Sequence, residues 1–276
     1  MQRLEGETII VTGGTGGIGE AIALRAAEEG GRVMVTGRRQ AEGDRVVDLI
    51  RAAGGQAAFT RADISVEADV AAAVDATVRE FGPPTVLVNN AAPTDLVGPG
   101  NRDGRLTDVT TENFEEILRV GLYGAYWMSR YAIPHMQAAG HGSIVNVSSA
   151  AGVKASPRVF GYAVAKGGLQ ALTRSVAVDY AVDNIRANTI IVGFVVSNPL
   201  AERFAADESM SAAMRLTHIT RFGTPADIAA AAVFLASSES EFMTGSDMYA
   251  DGGCCVKQAL PGTRAEARRV HAPARG

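Results

Sequence analysis

The sequence predicts an α/β protein: a single doubly wound parallel sheet of about seven strands, with helices on both faces. Three observations carry this. Short apolar runs rich in β-branched residues alternate with longer stretches of helical spacing. The short runs are apolar throughout, as strands buried on both faces are. The helical stretches stop at paired glycines or at Gly-Pro, which end helices.

In chain order, strands are predicted at residues 8–11, 32–36, 57–60 (the weakest), 85–88, 143–147, 187–192 and 247–250. Residues 18–29 form a helix stopped by Gly30-Gly31, and residues 45–53 one stopped by Gly54-Gly55. Residues 66–81 follow Ser65 as N-cap and end at Gly82-Pro83. The later helices are 113–137, 162–179 and 226–235. Residues 94–110, with Gly98, Pro99, Gly100 and Gly104, read as one long loop. One domain is expected over residues 1–256, followed by a tail, 257–276, that carries five basic residues against Glu266.

Composition narrows the function. The 276 residues are 47% hydrophobic with net charge −4, so no nucleic-acid footprint is visible. No apolar run approaches the ~20 residues of a membrane span. Met1–Glu7 leads into the first strand without a signal-peptide pattern. Cys254 and Cys255 are adjacent, a poor arrangement for a stapling disulfide, and this points to a reduced, cytoplasmic protein. His135, His141, His218 and His271 lack metal-ligand spacing, so no metal is expected. The 31 glycines exceed the roughly 19 of average usage, which directs attention to tight turns and close ligand approach.

The first strand runs into Thr12-Gly13-Gly14-Thr15-Gly16-Gly17-Ile18-Gly19, which opens the first helix. Glycines there let main-chain N–H groups approach a pyrophosphate, and the helix start adds unpaired donors. Tyr162 and Lys166 lie four apart on one helix face, and Ser149 ends the fifth strand thirteen residues earlier, with Ser148 as the alternative serine. Such a pair can supply a proton to an oxygen. A phenol supplies it near neutrality only if its pKa falls from about 10, a shift of roughly 4 kcal/mol. A neighbouring ammonium favours the phenolate.

The spacing Gly13, Gly17, Gly19, with segments 142–149 and 161–168, resembles the short-chain dehydrogenase/reductase family. The resemblance covers residues 6 to about 253. It implies that Ser149, Tyr162 and Lys166 are catalytic, with Lys166 also holding the nicotinamide ribose. It places Gly13, Thr15, Gly16, Gly17, Ile18, Gly19, Asp63, Ile64, Asn90, Ala91, Val195 and Ser197 around the dinucleotide, beside Tyr162 and Lys166. Gly37 stands where NAD-dependent members carry Asp, and Arg38 follows. A guanidinium suits a 2′-phosphate, so NADP(H) is favoured over NAD(H). The basic residue found before the second glycine in NADP-preferring relatives is Gly16 here.

Two departures stand out. Gly121 replaces an Asn that holds a relay water, so Gly121→Asn is expected to keep or raise turnover. Val192 replaces a proline. The expected activity is hydride transfer between NADP(H) and a ketone or aldehyde–alcohol pair. An NAD-dependent dehydrogenase, an enoyl reductase and a dinucleotide sensor without turnover are the alternatives. Substrate choice falls to residues 94–110 and 197–221, where Leu200, Phe204, Met210, Met214 and Leu216 suit an apolar lid or ordinary packing. By the same resemblance, helices 113–137 and 162–179 pair subunits in a homodimer or homotetramer. His218 reads either as a substrate contact or as a surface residue.

Overall fold

A computed structural model describes residues 2–97 and 100–257. Gly98, Pro99 and the tail beyond Lys257 lie outside the described residues. The strands are β1 (Thr8–Thr12), β2 (Arg32–Gly37), β3 (Gln56–Arg61), β4 (Val86–Asn89), β5 (Gly142–Ser149), β6 (Ile185–Val192) and β7 (Asp247–Ala250). They form one sheet, all parallel, in the order β3-β2-β1-β4-β5-β6-β7.

The period of two along a strand builds two cores. Ile9 and Val11 of β1 face one side with Val33 and Val35. They meet α1 (Gly17–Glu28), α2 (Gln40–Ala52) and α9 (Pro225–Ala236). Ile10, Met34 and Leu87 face the other side. They meet α3 (Glu67–Phe81), α5 (Gly124–Ala139) and α6 (Phe160–Asp179). Every one of these strand residues is fully buried or nearly so, which is why each run is apolar without alternation. The direction in which successive strands are added reverses at β1, whose neighbours are β2 and β4. Ligands of open α/β sheets bind in the crevice at such a point.

Several boundaries differ from the sequence expectation, each for a local reason. Helix α2 begins at Gln40, five residues early, because Gly43 is a helix residue against which Phe59 packs. A methyl on Gly43 would stand 2.2 Å from that ring. Ser65 is not the cap of α3. It donates from N and Oγ to the Asp63 carboxylate (2.9 and 2.7 Å), and the helix starts after Val66. The single helix expected at 113–137 is three pieces. Helix α4 (Thr111–Leu118) is capped by Thr110, whose hydroxyl accepts from Asn113 N at 3.2 Å. A π-helical turn follows at Arg119–Tyr123, then α5. Residues 197–221 hold α7 (Pro199–Ala206) and α8 (Glu208–Arg215). Among the described residues no helix is long and apolar enough to cross a membrane.

Candidate active site

The glycine turn is shaped before any ligand enters. Gly13 and Gly17 have φ of +63° and +56°, in the left-handed region. A methyl on Gly19 would stand 2.2 Å from the Gly13 carbonyl oxygen and 2.4 Å from the Asn90 amide nitrogen. Asn90 braces the turn, its side-chain amide donating to the carbonyls of Thr12 (2.9 Å) and Gly13 (3.3 Å). Thr12 Oγ1 accepts from the main-chain N of Asn90 (3.0 Å) and Ala91 (3.1 Å). This closely packed cradle, with the unpaired N–H groups at the start of α1, fits a dinucleotide pyrophosphate.

The surroundings of the other sequence-predicted cofactor positions differ. Thr15 lies against Gly37, where a methyl would meet Thr15 Cγ2 at 2.7 Å. The Ser197 carbonyl oxygen lies 2.8 Å from the place of a Gly17 methyl, so the entrance to α7 sits over the turn. Val195 is buried and bridges to Gly223, and Ile64 is buried against Gly124. Gly193 keeps the turn after β6, since a methyl there would stand 2.5 Å from the Asp251 carbonyl oxygen. Arg38 ion-pairs with Asp95 at 2.9 Å, a partner from the long loop that spacing does not reveal. Arg39 stretches over the turn, its Nη2 3.8 Å from the place of a Gly16 methyl. The signal for it was the Arg38-Arg39 doublet.

Ser149, Tyr162 and Lys166 come together where β5 ends and α6 begins. Burial pushes the Tyr162 phenol up, and its hydrogen bond with Ser149 opposes this. The chain alone therefore does not produce the lowered phenol pKa that the chemistry needs. Lys166 Nζ lies 5.8 Å from the Tyr162 ring centroid. It is 2% exposed and donates to the Val147 carbonyl at 2.7 Å. Ser148 donates to the Lys166 carbonyl at 3.0 Å and is buried, so it braces the helix and leaves Ser149 as the serine beside the phenol.

Burial lowers the Lys166 pKa from 10.5 to about 8. Between those values the unfolded chain holds a proton that the folded chain releases, so folding stability rises with pH across the window. The gain is about 3 kcal/mol by its upper end. Melting of the ligand-free protein from pH 7.5 to 10.5, compared with Lys166→Met, is expected to show this rise only in the unsubstituted chain.

Gly121 lies in the π-turn and is buried against the catalytic helix. A methyl there would stand 2.8 Å from Ala165 Cβ, so asparagine has to displace α6 next to Lys166. This contact stands against the expectation that Gly121→Asn keeps or raises turnover. His218 is half-buried, with both ring nitrogens engaged within the chain. Its Nε2 accepts from Phe194 N (3.1 Å) and its Nδ1 faces the Met214 carbonyl (3.0 Å), pinning the end of α8 to the exit of β6. Leu200 and Leu216 are exposed, so they are not core packing. The acceptor atoms of Asp251, Cys254 and Cys255 lie within 4.8 Å of one another. Burial and the Asp251 carboxylate push the Cys255 thiol up to about 12 in the metal-free chain.

A phosphate-cradling turn at the switch point of a parallel sheet, beside a serine–tyrosine–lysine cluster, defines a nucleotide-dependent oxidoreductase. The protein-family model described as enoyl-(acyl carrier protein) reductase matches residues 13–255. An uncharacterized oxidoreductase of Bacillus subtilis is 37% identical over 260 residues, covering 92% of each chain. An NADP-dependent (R)-specific alcohol dehydrogenase of Lentilactobacillus kefiri is 36% identical over 260 residues, 91% of this chain and 97% of its own. A crystal structure from Agrobacterium tumefaciens, provisionally described as a gluconate dehydrogenase, superposes with TM-score 0.86 at 28% identity. It covers 93% of this chain and 99% of that one. The chain belongs to the short-chain dehydrogenase/reductase family.

Proposed function

We propose that the protein interconverts a ketone or aldehyde with its alcohol, using NADP(H). The observation that carries this is Tyr162, hydrogen-bonded to Ser149 and faced by Lys166, beside a turn shaped for a dinucleotide. The bound nicotinamide would supply hydride at carbon. Tyr162 gives its proton to the substrate oxygen, and Ser149 donates a hydrogen bond to the same atom as charge develops there. The Lys166 ammonium, when charged, favours the phenolate left behind.

Main-chain N–H groups of residues 13–19 would hold the pyrophosphate. Asp63, Ile64, Asn90 and Ala91 would border the adenosine, Val195 and Ser197 the nicotinamide amide, and Lys166 the nicotinamide ribose. Arg38 and Arg39 at the end of β2 support NADP(H), as does the name of the Lentilactobacillus relative. The Asp95 carboxylate on Arg38 favours the second reading, NAD(H). Both cysteines are free thiols, which supports a reducing, cytoplasmic setting. Tyr123, Tyr126 and Val164 are exposed along the π-turn, α5 and α6, which supports a homodimer or homotetramer paired through these helices.

A panel of ketones and alcohols followed at 340 nm with NADPH and NADH tests the reading. Arg38→Asp is expected to weaken NADPH relative to NADH by about tenfold or more. An unchanged ratio returns the protein to the NAD-dependent class.

A further inference from the structure

Asp103 belongs to the loop between β4 and α4, yet its side chain is buried. The carboxylate accepts three main-chain hydrogen bonds. Oδ1 receives Gly104 N and Gly161 N, and Oδ2 receives Tyr162 N, each at 2.9 Å. Gly161 and Tyr162 are the second and third residues of α6, whose own cap position, Val159, offers no side-chain acceptor. The first N–H groups of a helix have no partner within it, and the positive end of the helix attracts a carboxylate. Asp103 supplies from the loop the acceptor that a local Ser or Asp normally supplies.

We propose that Asp103 is a positioning residue, clamping the substrate loop onto the first turn of α6 and thereby setting the aim of Tyr162. The proposal rests on Tyr162 acting as the proton donor. Other contacts close the same joint. Phe160 N donates to the Gly104 carbonyl at 3.4 Å, and the Phe114 and Phe160 rings stack at 5.2 Å. Asp103 N donates to the Leu96 carbonyl at 3.1 Å, which folds the loop back on itself. Gly161 leaves room for the carboxylate, since a methyl there would stand 3.4 Å from Oδ1 and 3.0 Å from Ile117 Cδ1. The two ends of the device move together: a displacement of the loop pulls directly on the main chain of Tyr162.

The test measures kcat and KM on a ketone that the enzyme reduces, the Kd of NADPH, and amide exchange, for Asp103→Ala and Asp103→Asn. Tyr162→Phe serves as reference. Asp103→Ala is expected to lower kcat by about 10²-fold, and Asp103→Asn, which keeps one acceptor oxygen, by about tenfold. The NADPH Kd stays within about twofold, and exchange quickens at Gly161 and Tyr162 but not in the sheet. A kcat within about twofold for Asp103→Ala overturns the proposal. So does a loss of kcat matched by lost NADPH binding and general loss of protection, the mark of a merely structural residue. If Tyr162→Phe still turns over, the assignment of the proton donor fails instead, and the exchange at Gly161 and Tyr162 still decides whether the clamp exists.

Discussion

Tyr162→Phe is expected to lower kcat for carbonyl reduction by about 10²–10⁴-fold, the span of general acid catalysis, while NADPH binds as before. The ring is kept, so its packing beside Lys166 survives. What disappears is the one hydroxyl that hydrogen-bonds Ser149 and carries the transferable proton. Removing a hydroxyl from a site where burial already disfavours its charged form costs the fold little. Steady-state rates at 340 nm and calorimetric NADPH binding together read the outcome. Retained turnover assigns the proton to another group. Lost turnover with intact binding also sets aside the dinucleotide sensor, which has no use for the phenol.

The second large effect is expected at Gly19. In Gly19→Ala the new methyl falls 2.2 Å from the Gly13 carbonyl and 2.4 Å from the Asn90 amide. Neither neighbour is the free end of a flexible chain: one is the turn's main chain and the other its brace. Dinucleotide affinity is expected to fall by about 10²-fold or more, with roughly 1–3 kcal/mol lost from overpacking. Gly54→Ala is the control. Gly54 has a positive φ (+84°), unlike Gly19, but has open space around it and stops a distant helix. It is expected to cost stability without changing cofactor affinity. Equal loss of affinity in both variants would remove the special role of Gly19.

The strands were legible because burial on both faces writes itself as uninterrupted β-branched runs. Even the weak run at 57–60 is part of β3. Helix ends marked by Gly30 and Gly54 were legible because both take the left-handed conformation that glycine tolerates. Errors arose where the signal depends on which partner a side chain takes in the folded chain. Gly43 reads as a breaker until Phe59 is placed over it, and Ser65 reads as a cap until Asp63 claims it. The π-turn at Gly121 is invisible because the apolar spacing runs through it. At the site, Ser149, Tyr162 and Lys166 were legible from spacing and context. Asp95 and Asp103 were not, since an ordinary charged residue in a loop becomes a partner only when the chain closes around it.

The strand order has a kinetic consequence. Asn90 and Thr12, which fix the cradle, are 78 residues apart, and β1 meets β4 only after β2 and β3 have been laid down on its other side. Contacts of such separation make folding slow, because loop closure must precede the contacts that reward it. The cradle is thus completed late on the folding path. A dinucleotide finds no binding surface in early collapsed forms. It stabilises the finished protein by mass action and slows its unfolding, while the rate of folding stays that of the bare chain.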